Sequence, residues 1–392
     1  MCRCVVLSAL LAAYLALAGG WCAAQSSSDE VMLEGRPLTA WLADLVSDKK
    51  KVQEKASSVL SKAGKEVLPG LIKALTHSKP EVRAQAAEMV GVFGEDAKAA
   101  VPALITALRD KAPEVRAAAA GALGGIGPDA KAAVRPLIRL LRDKEEFVRE
   151  QAASGLGGIG PDAKEAVPAL LTMLKDKEPA LSAAAARALG GIGPDSKAAV
   201  PDLIKFLKAK DDDLRAAAAE GLGGIGPDAK EAVPSLIVAL KDAKADVREQ
   251  SATALGRMGD EASSAVKPLA GALADRNEDV RSAAAEALTQ LGPTAKDAVG
   301  ALAKALRDNS VNVRSGAAAA LAAIGPEAKD AVPALVLALK DKEAEVRDNA
   351  VEALGAIGPG AKEAVPALKT LLETAKPERQ DAIKEALKKI ES

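Results

Sequence analysis

Residues 98–130 read KAAVPALITALRDKAPEVRAAAAGALGGIGPDA, from Lys98 to Ala130. Val101, Leu104, Ile105 and Leu108 recur at the spacing of one helix face. Pro102 falls in the first turns, where the N–H it lacks would have no partner anyway. A second apolar face follows in Val115, Ala119, Leu123 and Ile126, with Pro113 suited to its first position and Glu114 to its positive end. Gly127 predicts a left-handed stop, and Pro128 bars continuation. The stretch therefore predicts helix A over 98–109, a turn, helix B over 113–125, a glycine stop and a short link.

The same pattern fills the chain. Valine recurs every 33 residues from Val101 through Val134, Val167 and Val200 to Val365, and glycine likewise from Gly94 through Gly127 and Gly160 to Gly358. A fixed period of this size means stacked two-helix units, each burying its neighbour's apolar face. Unit starts fall near Lys65, Lys98, Lys131, Lys164, Lys197, Lys230, Ser263, Lys296, Lys329 and Lys362, after a first unit over Arg36–Gly64. That first unit is atypical, with Trp41 strengthening its apolar face and Gln53 in the position held elsewhere by arginine, as expected of a cap. The last helix, Glu378–Ile390, carries Lys384, Glu385, Lys388 and Lys389 and reads as the opposite cap.

Two charges in each unit oppose their own helix dipoles: an aspartate ending helix A and an arginine in the first turn of helix B. They are Asp110 and Arg116, Asp143 and Arg149, Asp242 and Arg248, Asp275 and Arg281, Asp308 and Arg314, and Asp341 and Arg347. Each aspartate is expected to meet an arginine or the first N–H groups of helix B, across the turn or in the neighbouring unit, forming a structural ladder. Ser182 replaces one arginine and Ala209 one aspartate.

The helix A proline with Leu104, then Asp110, Val115-Arg116, the alanine run, Leu123 and Gly127, resembles the HEAT repeat family in the short form of phycobilin-lyase-type repeats, over about Arg36 to Ile390. The period equals the ankyrin number, but no T-P-L-H segment is present. The resemblance implies an all-α, right-handed α-solenoid of about eleven repeats spanning 35–392, with helix B lining the concave side.

Upstream, Met1–Ala24 has one cation, Arg3, an apolar core from Val5 to about Ala18, then small residues. It reads as a secretory signal cleaved after Ala24, placing the mature chain in the periplasm or outside the cell. Its apolar core is short for a membrane span, and Trp21 is too large for a lipobox before Cys22. All three cysteines (Cys2, Cys4, Cys22) lie in this leader, so no disulfide is expected. Residues 25–34 read as a disordered lead-in.

No chemistry-bearing constellation stands out. Gly155–Gly160 and Gly221–Gly226 match G-x-G-x-x-G, but both end a helix instead of opening one after a strand. The close approach of stacked B helices explains them better. A single histidine, His77, and no mature cysteine exclude the usual transition-metal cages. Asp211, Asp212 and Asp213 lack the spacing of a calcium loop. With Lys+Arg 53 against Asp+Glu 54 and only 2% aromatic residues, no basic stripe or stacking platform points to nucleic acid. No cofactor, no metal and no catalysis are expected.

In helix B the positions one, two, five and nine residues after the arginine vary among units. Gln85, Glu88, Glu150, Gln151, Arg187, Glu220, Glu249, Gln250, Arg257, Glu286, Gln290 and Glu352 occupy such positions. They predict either a groove for a protein segment or plain solvent exposure. The expectation is a monomeric, exported protein-binding scaffold. Alternatives are a lyase or lyase-associated subunit, implied by the phycobilin-lyase likeness, and an envelope spacer.

Overall fold

The structure is a computed structural model that describes residues 31–392. The expected leader and the lead-in through residue 30 lie outside the described residues.

Each repeat after the first has three helical parts where the sequence suggested two. The repeat quoted above begins with a 3-10 helix, Gly94–Ala100, continues into helix A, Val101–Ala107, and ends with helix B, Pro113–Ile126. Helix A is thus shorter than expected at both ends, and residues 98–100 belong to the 3-10 segment. That segment recurs as Gly127–Ala133, Gly160–Ala166 and Gly226–Ala232. A 3-10 helix brings i and i+3 onto one edge. That edge holds Ala130 and Ala133, Ala163 and Ala166, or Ala229 and Ala232, all 0% exposed. The short link is therefore a core element, and the paired alanines fix its register.

The glycine stops also differ from expectation. Gly127 has φ 76° and ψ −143°, and Gly160 has φ 78° and ψ −145°. That is the extended positive-φ region, essentially reserved to glycine, and not the left-handed helical cap. It turns the chain sharply so that the 3-10 helix starts at the same residue.

Packing divides the chain into two compact units, one ending at Ser196 and the other starting at Lys197. In the first, the B helices Pro80–Val92, Pro113–Ile126, Glu146–Ile159 and Pro179–Ile192 stack in sequence order. In the second, Asp212–Ile225, Ala245–Arg257, Glu278–Leu291, Val311–Ile324, Ala344–Ile357 and Pro377–Glu391 do the same. Leu123, Leu156, Leu222 and Leu255 on these helices are 0% exposed; burying one such side chain is worth about 1.5–3 kcal/mol.

The stack is close enough for backbones to touch. A methyl group on Gly158 would lie 2.5 Å from the Gly124 carbonyl oxygen, and one on Gly155 would lie 2.5 Å from that of Ala120. One on Gly157 would lie 2.8 Å from the Ala188 Cα. With Gly160 at positive φ, every glycine of the Gly155–Gly160 motif is required by helix stacking or by the turn. In contrast, A helices barely meet one another. Within each compact unit the B side is therefore the tighter side.

The amino-terminal cap corrects one expectation. Residues 31–34, assigned to a disordered lead-in, are part of a small hairpin that pairs Met32–Leu33 with Arg36–Pro37. Its two loop residues, Glu34 and Gly35, both have positive φ, as the type I′ hairpin turn requires. Trp41, 1% exposed, donates its indole N–H to the Leu33 carbonyl at 2.8 Å. Arg36 lies over the ring at 4.2 Å from its centroid. Trp41 thus fastens the hairpin over the first helix.

Candidate interaction surface

Most B helices carry an arginine in their first turn whose side chain runs back over the preceding turn. Arg116 donates through Nη1 to the carbonyls of Asp110 and Lys111 at 2.9 and 3.2 Å. Its remaining edge, Nε and Nη2, meets both carboxylate oxygens of Asp143 at 2.8 Å. Asp143 belongs to the next repeat, 27 residues on. The same rung joins Arg83 to Asp110, Arg215 to Asp242, Arg248 to Asp275, Arg281 to Asp308 and Arg314 to Asp341. The pairing is therefore between repeats. Within a repeat the arginine meets the aspartate's backbone carbonyl, as in Arg149 to Asp143 and Arg347 to Asp341.

The aspartate has a second task. Asp110 Oδ1 accepts the N–H of Ala112, and Asp275 Oδ1 that of Asn277, both at 2.9 Å. This satisfies a donor just ahead of helix B, where the residue N–H groups lack helical partners. His77, in an aspartate position, does likewise through Nδ1, accepting the Lys79 N–H at 3.2 Å. The Arg248 and Arg314 guanidinium groups hold the Asp275 and Asp341 carboxyls below the usual carboxylate range, against the opposing effect of burial. At Asp110 and Asp143 burial is the largest influence and pushes upward, but the arginine and backbone donors together outweigh it.

Both ends of the array replace this arginine with glutamine. Gln53 donates to the Leu45 carbonyl at 2.8 Å, and Gln380 to that of Ala375 at 3.2 Å. Each preserves the turn contact without a charge that would need a carboxylate. Ser182 performs a similar task by donating to the Asp176 carbonyl at 3.2 Å. Arg149 departs from the rule: among the described residues no ion pair joins it to Asp176.

The twelve variable helix B residues are all exposed or half-buried. Ala84, in one of the variable positions, is instead buried. Stacking aligns equal positions of successive repeats within each compact unit, so these side chains stand in rows on the tighter side. Gln85 donates to Glu88 at 3.0 Å, and Gln290 to Glu286 at 3.3 Å. The protein packed around Glu88 pushes its carboxyl up although the side chain reaches solvent, opposed by the Gln85 donor. Burial also raises Glu249, reinforced by the like charges of Asp279 and Asp246. Asp211 caps helix B of its repeat by accepting the Leu214 N–H at 2.8 Å, and Asp212 pairs with Lys244 at 2.9 Å.

One surface residue escaped the sequence reading. Phe147, 41% exposed, opens helix B of its repeat two residues before Arg149. Glu81, Glu114, Asp246, Asp279 and Glu345 hold the equivalent positions elsewhere. Ala180 and Asn312 also lack the charge, so its signal was an aromatic in a position otherwise held by a charged or small residue.

Among the described residues, no group of three or more His, Cys, Asp or Glu is placed to hold a metal ion. No helix among them is long and apolar enough to cross a membrane.

A family model described as HEAT repeats matches residues 68–157, 101–178, 134–223, 200–289, 266–330 and 299–388. Among solved structures, an engineered protein is 26% identical with a TM-score of 0.52, over 83% of this chain and 99% of its own. Yeast importin-beta is 16% identical with a TM-score of 0.57, over 90% of this chain and 57% of its own. Another importin-beta crystal structure is 17% identical with a TM-score of 0.53, over 90% of this chain and 55% of its own. The chain thus spans little more than half the length of the importin-beta structures, and the likeness to them shows the fold alone. No curated protein matches the chain.

Proposed function

The chain belongs to the HEAT repeat family, and from that premise we propose that it is a non-catalytic scaffold that binds a protein segment along its B helices. What carries the reading is the contrast between positions. The buried positions of helix B are nearly uniform alanine and leucine, whereas the exposed rows differ from repeat to repeat. A uniform frame bearing a non-uniform row can recognise one partner; a spacer would need only the frame.

The rows are mostly acidic and amide-bearing, with Glu88, Glu150, Glu220, Glu249, Glu286 and Glu352 against Arg187 and Arg257. Polar rows of this kind set specificity and association rate more than affinity. Phe147 adds the aromatic contact that interface hot spots favour. The reading extends to an exported, monomeric protein working in the periplasm or outside the cell, on the strength of the leader sequence.

The test is crosslinking in the native envelope, partner identification, and recapture with purified variants. Simultaneous reversal of Glu150, Glu220, Glu249 and Glu286 to lysine should abolish recapture while leaving the helical circular dichroism signal in place. Recapture at wild-type level by a folded quadruple variant would refute the surface.

A further inference from the structure

Arg347 breaks the logic of the ladder. Its Nη1 is anchored like that of five of the six rung arginines, donating to the carbonyls of Asp341 and Lys342 at 2.6 and 2.9 Å. In the six rungs this anchoring presents Nε and Nη2 to an aspartate 27 residues on, at 2.7–3.0 Å. From Arg347 that count reaches Thr374, a short neutral side chain whose hydroxyl donates to the Leu371 carbonyl at 3.2 Å. Helix A of this last repeat, Val365–Thr374, is 10 residues long where others have 7, so the turn that elsewhere delivers aspartate begins later. Asp348, its sequence neighbour, is taken by Arg379 at 3.4 Å. Among the described residues, the Nε–Nη2 edge of Arg347 has no partner.

Elsewhere the chain avoids this situation. Gln53 precedes His77, so arginine is absent there where the following aspartate is absent. Ser182 is likewise followed 27 residues on by Ala209. Arg149 lacks a rung too, but Asp176 remains in its repeat register. Arg347 alone keeps the charge with no aspartate in register to meet it.

We infer that Arg347 is a docking point for a carboxylate of a protein partner, an aspartate or glutamate side chain or a chain terminus, at the carboxyl-terminal end of the array. The guanidinium edge is planar and matches a carboxylate bidentately. Two carbonyls already fix its orientation, so little further ordering is needed on binding. The same edge takes a carboxylate six times elsewhere in this molecule, which defines the ligand class. The inference is independent of the helix B rows, and its failure leaves that surface standing.

The experiment follows arginine Nε–H signals by NMR in the full mature chain, with Arg347→Lys identifying the resonance. Acetate is titrated at constant ionic strength against chloride, followed by a tetrapeptide with a central aspartate and its asparagine counterpart. The expected result is a saturable shift of Arg347 with acetate, unmoved rung arginines, and tighter binding of the aspartyl tetrapeptide. Thr374→Asp should fill the edge from within and remove the response, while Thr374→Asn should retain it. A non-saturable shift, a response unchanged in Thr374→Asp, or stronger binding of inorganic phosphate would overturn the carboxylate site. Equal affinity for acetate and tetrapeptide would overturn the protein source.

Discussion

Truncating one rung measures how far the array depends on its ladder. Arg248 and Asp275 are suited to this, with side chains 6% and 15% exposed and two bonds of 2.7 and 2.8 Å. Exposed ion pairs contribute about 0.2–1 kcal/mol, whereas removing one partner of a buried pair costs about 3–5 kcal/mol because a charge is stranded. The rung lies near the buried limit, so Arg248→Met and Asp275→Ala should each cost about 3 kcal/mol. A double-mutant cycle that adds the Arg248→Met, Asp275→Ala double variant cancels the tasks each residue performs alone, the Asp242 carbonyl contact of Arg248 and the Asn277 N–H contact of Asp275. What remains should be a coupling of about 2 kcal/mol. A rung is a local contact, so the assay is hydrogen exchange of amides in Glu278–Leu291, which reads local opening and does not require the whole array to unfold as one unit. Arg135 and Glu165 also bridge neighbouring repeats, at 3.0 Å, but are 76% and 55% exposed. A rung coupling no larger than theirs would refute the claim that burial gives the ladder its strength.

Other expectations concern packing and pH. Ser196 is 0% exposed and its hydroxyl lacks a partner among the described residues, in the position held by Ala130, Ala163 and Ala229. Ser196→Ala should stabilise its repeat by about 1 kcal/mol, seen as slower exchange; a loss of stability would contradict the reading. Gly158→Ala gains helix propensity of about 1 kcal/mol yet meets the Gly124 backbone at 2.5 Å. A lower melting temperature is expected, and a higher one would disprove close stacking. Asp275 and Asp341 are held below their ordinary range, so their contribution is complete above about pH 4 and fades as pH falls through the lowered values. Melting curves in which Arg248→Met costs the same at pH 2 as at pH 7 would be inconsistent with this. Glu249 is shifted the other way, so its charged form opposes folding at neutral pH. Glu249→Gln should raise the melting temperature at pH 7, and the gain should vanish below about pH 4.

The architecture was legible because each buried position is restated in every repeat. Val115, Ala119, Leu123 and Ile126 were assigned to the core from spacing alone, and all are 0% exposed. The linking 3-10 helix was not legible. Its seven residues are mostly polar or small, and its only signal is two alanines three apart. Positive φ at the glycine stops was readable, but the accompanying ψ was not, since Gly127 tolerates several regions that the residues around it must choose between. The partners of the arginines were left open because a spacing of 6 within a repeat and 27 between repeats both place aspartate within reach. Only the helix stack decides. The helix B rows were found by their variation at positions following the arginine, whereas Phe147 lies two residues before Arg149 and so fell outside the positions compared.

The rungs have a further consequence for how such a chain can change its length. Every clasp joins one repeat to the next at the same interval, and none reaches past its neighbour. Excising 33 residues at any phase between two intact rungs, as unequal recombination would, leaves an arginine opposite an aspartate once more. Removing 32 or 34 breaks the clasp and rotates the downstream helix out of phase together. The geometry therefore tolerates shifts in copy number and penalises frame errors, which makes whole-repeat duplication and loss the natural way for this lineage to grow or shorten.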